Sequence, residues 1–150
     1  MHPSPAVATF ELTALERAVL DGIREDYAEL QPALDVQLDS ARVLKRRNSG
    51  VGFFTNLEID GSAPPLLAAP SPLNGREAIV SETPHGMGFV LWLSKDGFAD
   101  FLEGFTYGDS TVELDLPALN FELEAVAHKR ERVASTKRRS LWSLIRRVRS

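Results

Sequence analysis

Near residue 50 the hydrophobic period of this chain changes from that of a helix to that of a strand, and this switch sets the fold class. Leu15, Val19, Ile23, Tyr27 and Leu30 recur at helical spacing, and Leu12, Ala18 and Leu20 widen the stripe. Asp21, Arg24, Glu25, Asp26 and Glu29 fall mostly on the opposite side. Thr13-Ala-Leu-Glu16 is a capping box, in which the Thr hydroxyl accepts from the third amide and Glu16 reaches back. The pattern predicts a helix over 13–30, stopped at Pro32. Residues 33–44 fit a short second helix begun at Pro32 or, from Arg42 to Arg47, the start of a strand.

Beyond the Asn48-Ser49-Gly50 turn signal the period is two. Val51, Phe53, Thr55, Leu57 and Ile59 alternate with Gly52, Phe54, Asn56, Glu58 and Asp60, as in a half-buried strand. Residues 61–75 hold four prolines and two glycines and read as a long surface loop. A short strand over 76–82 and a turn at Thr83-Pro-His-Gly86 follow. Met87 to Leu93 is nearly all apolar and reads as a central strand. Lys95-Asp96-Gly97 then favours a tight hairpin into Phe98 to Phe105, where 98–102 also suits a helical turn. Tyr107-Gly-Asp-Ser110 is another turn, and Thr111 to Leu116 and Leu119 to Ala125 are further alternating runs split by Pro117. These elements predict an α+β domain over 10–126, with an N-terminal helix packed on a mainly antiparallel sheet of about five or six strands.

Charge marks off the remainder. Residues 129–150 carry nine basic residues and one acidic, or +8, while the other 128 carry eight basic and 20 acidic, or −12. Residues 127–150 therefore read as a basic extension of an acidic body. Such a segment meets an anionic partner or folds back on its own domain. Leu141, Leu144, Ile145 and Val148 stand at i, i+3, i+4 and i+7, so the extension ends in a basic amphipathic helix. Ten residues of isolated helix are marginal in water and need a surface. Lys137, Arg138, Arg139, Trp142, Arg146, Arg147 and Arg149 are the residues expected to meet an anionic surface, whether membrane or nucleic acid. The acidic body disfavours non-specific nucleic-acid binding.

The chain has no cysteine, which excludes disulfides, thiolate metal sites and cysteine nucleophiles. His2, His85 and His128 are too scattered for a metal site, and no cofactor is expected. Gly50-Val-Gly-Phe53 and Gly86-Met-Gly-Phe89 lack the third glycine and the following helix of a dinucleotide loop, so glycine there serves close strand approach while Phe fills the core. No stretch reaches 18 apolar residues, and the first ten residues have neither a basic run nor an apolar core. Neither a membrane span nor a signal peptide is expected, which suits a cytoplasmic protein, peripheral at a membrane where the extension binds one.

Phe98, Phe101, Phe105 and Tyr107 gather with Glu103 and Asp109 in one stretch. Aromatic residues mainly fill cores, so a core strand is the first reading. The second is a ligand cleft with His85, Glu103, Tyr107 and Asp109 as its polar residues. Ser49-Gly-Val-Gly-Phe-Phe-Thr55, His85-Gly-Met-Gly-Phe-Val-Leu91 and Leu102-Glu-Gly-Phe-Thr-Tyr-Gly108 resemble stretches of small uncharacterised bacterial proteins, over roughly residues 12–124. The resemblance implies a compact domain and carries no activity with it.

The expected function is a non-enzymatic binding or interaction protein with a protein partner, and an immunity- or inhibitor-type protein capturing a basic effector fits the acidic body. The alternatives are a small-ligand-binding protein or enzyme with a pocket near 98–109, and a peripheral membrane or nucleic-acid binder acting through the extension. The oligomeric state stays open. Because the periodic segments end near Ala125, deleting residues 129–150 should leave a single cooperative unfolding transition in denaturant. Loss of that transition would make the extension part of the core.

Overall fold

The computed structural model describes residues 10–124. They form two helices and a seven-stranded, antiparallel sheet, an α+β fold. Helix α1 spans Ala14–Asp26 and ends four residues earlier than its apolar period, which continues through a 3-10 turn at Ala28–Leu30. Helix α2 (Ala33–Asp39) and strand β1 (Arg42–Asn48) both form, so the two readings of 33–44 are consecutive and not exclusive. The other strands are β2 (Gly52–Glu58), β3 (Leu73–Asn74), β4 (Ala78–Val80), β5 (Thr83–Leu93), β6 (Ala99–Thr106) and β7 (Phe121–Leu123). Their order is β1-β2-β6-β5-β4-β7, with β3 paired to β5 off this path. The predicted C-terminal helix lies outside the described residues.

Two local expectations are corrected. Thr83 to Gly86 is not a turn but the start of β5, and the chain reverses at Ser81-Glu82 because Val80 pairs with Thr83. Thr111 to Leu116 is not a strand: its chain bonds to the Gly50–Gly52 turn, with the Thr111 amide donating to the Gly50 carbonyl at 2.8 Å. Thr111 Oγ1 also accepts from the Gly52 amide at 3.0 Å, so a residue expected in a ladder instead ties a loop. Residues 98–102 take the extended form and not a helical turn.

The core lies between α1, α2 and one face of the sheet. Leu15, Val19, Leu20 and Ile23 of α1 and Leu34 and Leu38 of α2 meet Phe53, Leu57, Met87, Phe89, Leu91 and Leu102. Glycine sets how closely the central strands approach. A Cβ on Gly52, at φ +151°, would lie 1.9 Å from the Gly104 carbonyl oxygen, and one on Gly104 would strike the Phe53 and Phe89 rings. The two Gly-x-Gly-Phe segments thus do what their sequence suggests: Phe53 and Phe89 are buried with ring centroids 6.2 Å apart.

Three polar clamps fix the helices on the sheet. Buried Gln37 of α2 donates to the Pro64 and Gly97 carbonyls at 2.8 and 3.0 Å and accepts from the Ala99 amide at 2.8 Å, holding the 61–72 loop and the β5–β6 turn. Arg76 joins Asp26 at 3.1 Å and Glu25 at 2.8 Å, closing the end of α1 against the segment entering β4. The third clamp is Glu16, 1% exposed, which takes hydrogen bonds from the Thr13 amide at 2.8 Å, from Arg46 Nε and Nη2 at 2.7 Å each, and from Thr55 Oγ1 at 2.5 Å. Burial alone would push the Glu16 carboxyl up, but the Arg46, Thr55 and Thr13 donors together outweigh it and hold the group below the usual carboxylate range.

Removing one partner of a buried pair leaves the other charge uncompensated, so Arg46→Ala should cost about 3 kcal/mol in denaturant unfolding. Thr55→Val should cost about 1 kcal/mol. Since the folded state depresses the Glu16 pKa, its contribution is complete above the ordinary value near about pH 4.3 and is lost as pH falls through the folded value. The parent should therefore lose stability on acidification more steeply than Glu16→Gln, and equal slopes would refute the role given to this carboxylate.

Candidate functional site

Helices α1 and α2 cover one face of the sheet. Among the described residues nothing forms a second layer on the other. Alternation places Phe54 and Asn56 of β2, Phe101, Glu103 and Phe105 of β6, and Val90 and Trp92 of β5 on that open face, each half-buried, while Phe53, Thr55, Leu102 and Leu91 point to the core. Antiparallel registry sets Phe54 opposite Glu103, Trp92 opposite Phe101 and Val90 opposite Glu103.

The aromatic rings make a connected surface. Trp92 stacks on Phe101 at a centroid distance of 6.0 Å, and Phe101 meets Phe54 at 5.9 Å. Arg47 of β1, opposite Phe54, holds its guanidinium 4.9 Å from that ring's centroid. Phe105 and Tyr107 meet edge to face at 5.7 Å, in the space left by Gly88, where a Cβ would collide with both. Such pairs contribute about 0.5–1.5 kcal/mol each beyond their buried area.

Charge divides this face. At the β1 edge Lys45 lies opposite Asn56 and Arg47 opposite Phe54. From β6 to β7 the charged groups are carboxylates. Glu103 accepts from Trp92 Nε1 at 3.1 Å. Tyr107 donates its hydroxyl proton to Glu77. Glu122 of β7 stands opposite Ile79, and Ile79, between buried Ala78 and Val80, is 63% exposed on the open side.

The four ligand candidates from sequence do not converge. His85 and Asp109 do meet: the His85 amide donates to Asp109 Oδ2 at 3.0 Å, and the ring Nδ1 lies 3.1 Å from Oδ1. The His85 amide bond is the largest cause holding the Asp109 carboxyl below its usual range, with the imidazole contact adding to it against some loss of hydration. His85, at the start of β5, is exposed at 69% of its side-chain surface, whereas Asp109 is exposed at only 17%. Tyr107 joins Glu77, and Glu103 joins Trp92 farther along the strands. The 98–109 stretch is therefore not a core strand throughout. Its aromatic and acidic residues form one strip of an open surface, because Phe101, Glu103, Phe105 and Tyr107 keep strict alternation.

Sequence reasoning missed Phe54, Trp92, Glu77 and Glu122 as members of the same surface. The Phe53-Phe54 doublet was a usable signal, since adjacent strand residues must occupy opposite faces. Lys137, Arg138, Arg139, Trp142, Arg146, Arg147 and Arg149 lie outside the described residues. Among the described residues no group of His, Cys, Asp and Glu is arranged to hold a metal, and no helix is long and apolar enough to cross a membrane. The chain matches no protein-family model, no curated protein and no solved structure.

If the amide bond dominates at Asp109, His85→Ala should leave most of the depression in place. The carboxyl carbon of Asp109, followed by NMR through an acid titration, should still titrate below the ordinary aspartate value in that variant. A midpoint restored to the ordinary value would assign the effect to the imidazole instead.

Proposed function

We propose that this is a non-enzymatic binding protein whose open sheet face receives a basic, partly apolar segment of a protein partner. The observation that carries the reading is the composition of that face: five aromatic side chains, Phe54, Trp92, Phe101, Phe105 and Tyr107, interleaved with the carboxylates Glu77, Glu103 and Glu122. Aromatic residues offer large contact area at low entropic cost, and they dominate protein interfaces. The carboxylates select a cationic partner and speed its encounter. The described residues carry all eight basic and 20 acidic residues of the body, a net −12 that adds to the same selection. An immunity- or inhibitor-type protein capturing a basic effector is the form of this reading that the charge suits best.

A ligand-binding or enzymatic reading draws on the His85–Asp109 contact, a histidine oriented by a carboxylate. It is the weaker reading, because a general base must also face a reacting group, and the imidazole lies in open solvent away from Glu103.

The test uses the full chain and a designed amphipathic helix of Leu and Lys as probe, with a Leu and Glu counterpart as control. Calorimetry should give a Kd on the order of 10 μM for the basic probe alone. Replacing Glu103 and Glu122 together by Gln keeps the shapes and should weaken binding by about tenfold, as should raising salt to about 0.5 M. Equal binding of both probes, or of neither, would sink the reading.

A further inference from the structure

We propose that residues 137–150 of this chain fold back onto the open sheet face and occupy in cis the site that takes the basic partner. The inference rests on the function proposed above and names the regulation of that same site.

The face and the segment match in three respects. The first is apolar character. Leu141, Leu144, Ile145 and Val148 recur at i, i+3, i+4 and i+7 with Trp142 beside them, a stripe that needs an apolar surface to be helical at all. On the sheet, Trp92, Phe101, Phe105 and Val90 form an apolar surface with no layer over it among the described residues.

The second is charge. The 129–150 segment is +8 and the rest of the chain −12. The open face is itself divided, with Lys45 and Arg47 at the β1 edge and Glu103, Glu77 and Glu122 from β6 to β7. A basic helix is accordingly directed to the half of the face over β6, β5 and β4, away from β1.

The third is reach. The described chain leaves the sheet at Glu124, directly after β7, where its amide still donates to the Glu77 carbonyl at 2.9 Å. This exit is on the acidic edge of the sheet. The 15 residues 125–139 span up to about 50 Å when extended. From β7 to β6 is three strand steps, about 14 Å, and ten residues such as 140–149 would make a helix about 15 Å long. A tether of this length holds the segment at an effective concentration in the millimolar range, so weak intrinsic contact suffices for occupancy.

Membrane or nucleic-acid binding by the same segment would compete with docking, since both draw on its basic and apolar residues. In the docked state the stripe is covered and the arginines lie against carboxylates. A basic partner then binds by displacing the segment, and its apparent affinity is reduced by the fraction of docked molecules.

The two tryptophans allow a direct test, one being on the face and the other in the segment. In the full chain with Trp142→Phe, Trp92 is the sole reporter. Leu144→Asp with Ile145→Asp, and separately Arg146, Arg147 and Arg149 each changed to Glu, should red-shift Trp92 emission and raise its acrylamide quenching constant. Both variants should also bind the Leu and Lys probe about threefold or more tightly than their parent, because the competitor is gone. Among the described residues the buried apolar side chains of the core lie between Leu15 and Leu119, and a single denaturant transition like the parent's checks that the body of each variant stays folded. Trp92 emission and quenching unchanged in both variants would overturn the proposal. If in that case parent and variants bind the probe equally, the face remains a binding site and only its occupant was misassigned. If none binds, the reading of the face falls as well.

Discussion

Glu16 receives hydrogen bonds from helix, strand and neighbouring strand at once: the Thr13 amide of its own capping box, Arg46 of β1 and Thr55 of β2. Taking two charges out of water costs several kcal/mol per ion, so the pair adds little net stability over an apolar contact of the same shape. Its effect is on placement. Only one rotation of α1 about its axis, and one register of β1 on β2, brings these donors to one carboxylate. A slip of β1 by one residue would turn Arg46 to the open face and leave the charge buried without its partner. The core contacts of Leu15, Val19 and Ile23 would tolerate small rotations that this clamp does not.

With α1 and α2 fixed on one side, the two faces of the sheet acquire different chemistry from a shared alternation. The core side takes Leu, Met, Val and Phe together with three strand threonines: the hydroxyls of Thr55 and Thr106 are hydrogen-bonded, while that of buried Thr83 has no hydrogen-bond partner among the described residues. On the other side Gly88 supplies the gap for Phe105 and Tyr107, and Gly104 supplies the corresponding gap for Phe53 and Phe89 in the core. The same strands thus build a packed interior and an aromatic exterior, and glycine at one position of each central strand controls which rings fit on which side.

Much of this was legible in the chain. The capping box, the stripe of α1, the alternation of β2 and the Asp-Gly hairpin are local patterns, and each appears where its residues lie. Apart from the Thr83–Gly86 segment, where the local pairing of Val80 with Thr83 moves the turn back to Ser81-Glu82, the failures depend on pairing between distant segments. Thr111 to Leu116 alternates like a strand, yet Thr111 finds its partners in Asn48, Gly50 and Gly52, 59 to 63 residues away in sequence for Asn48 and Gly52. Arg46 was read only as part of a possible strand start, because its partner Glu16 lies 30 residues away in sequence. The aromatic cluster at 98–107 was visible, but its partners Phe54 and Trp92 join it only through the β2-β6-β5 order, which no single segment encodes. Local periodicity also could not say which face of β6 the helices would cover, so a core strand and a cleft were both weighed.

Exposed aromatic rings on a sheet face also serve as stacking platforms for single-stranded nucleic acid, and the charge pattern decides between that use and a protein partner. Stacking contributes about 1–3 kcal/mol per base, but it operates beside a positive groove that tracks the phosphates. Here the positive groups on the face, Lys45 and Arg47, occupy only the β1 edge, and Arg47 is engaged over Phe54. The rings of Phe101, Trp92, Phe105 and Tyr107 lie instead among Glu103, Glu77 and Glu122. A phosphate about 4 Å from one carboxylate is repelled by roughly 1 kcal/mol even at the dielectric of water, and by about 4 kcal/mol at the effective value near a protein surface. Three carboxylates spread along the path of a strand would cancel the stacking of a comparable number of bases. For a cationic segment the same terms change sign while the aromatic contact remains, and that inversion is what favours a basic polypeptide over a nucleic acid on this face.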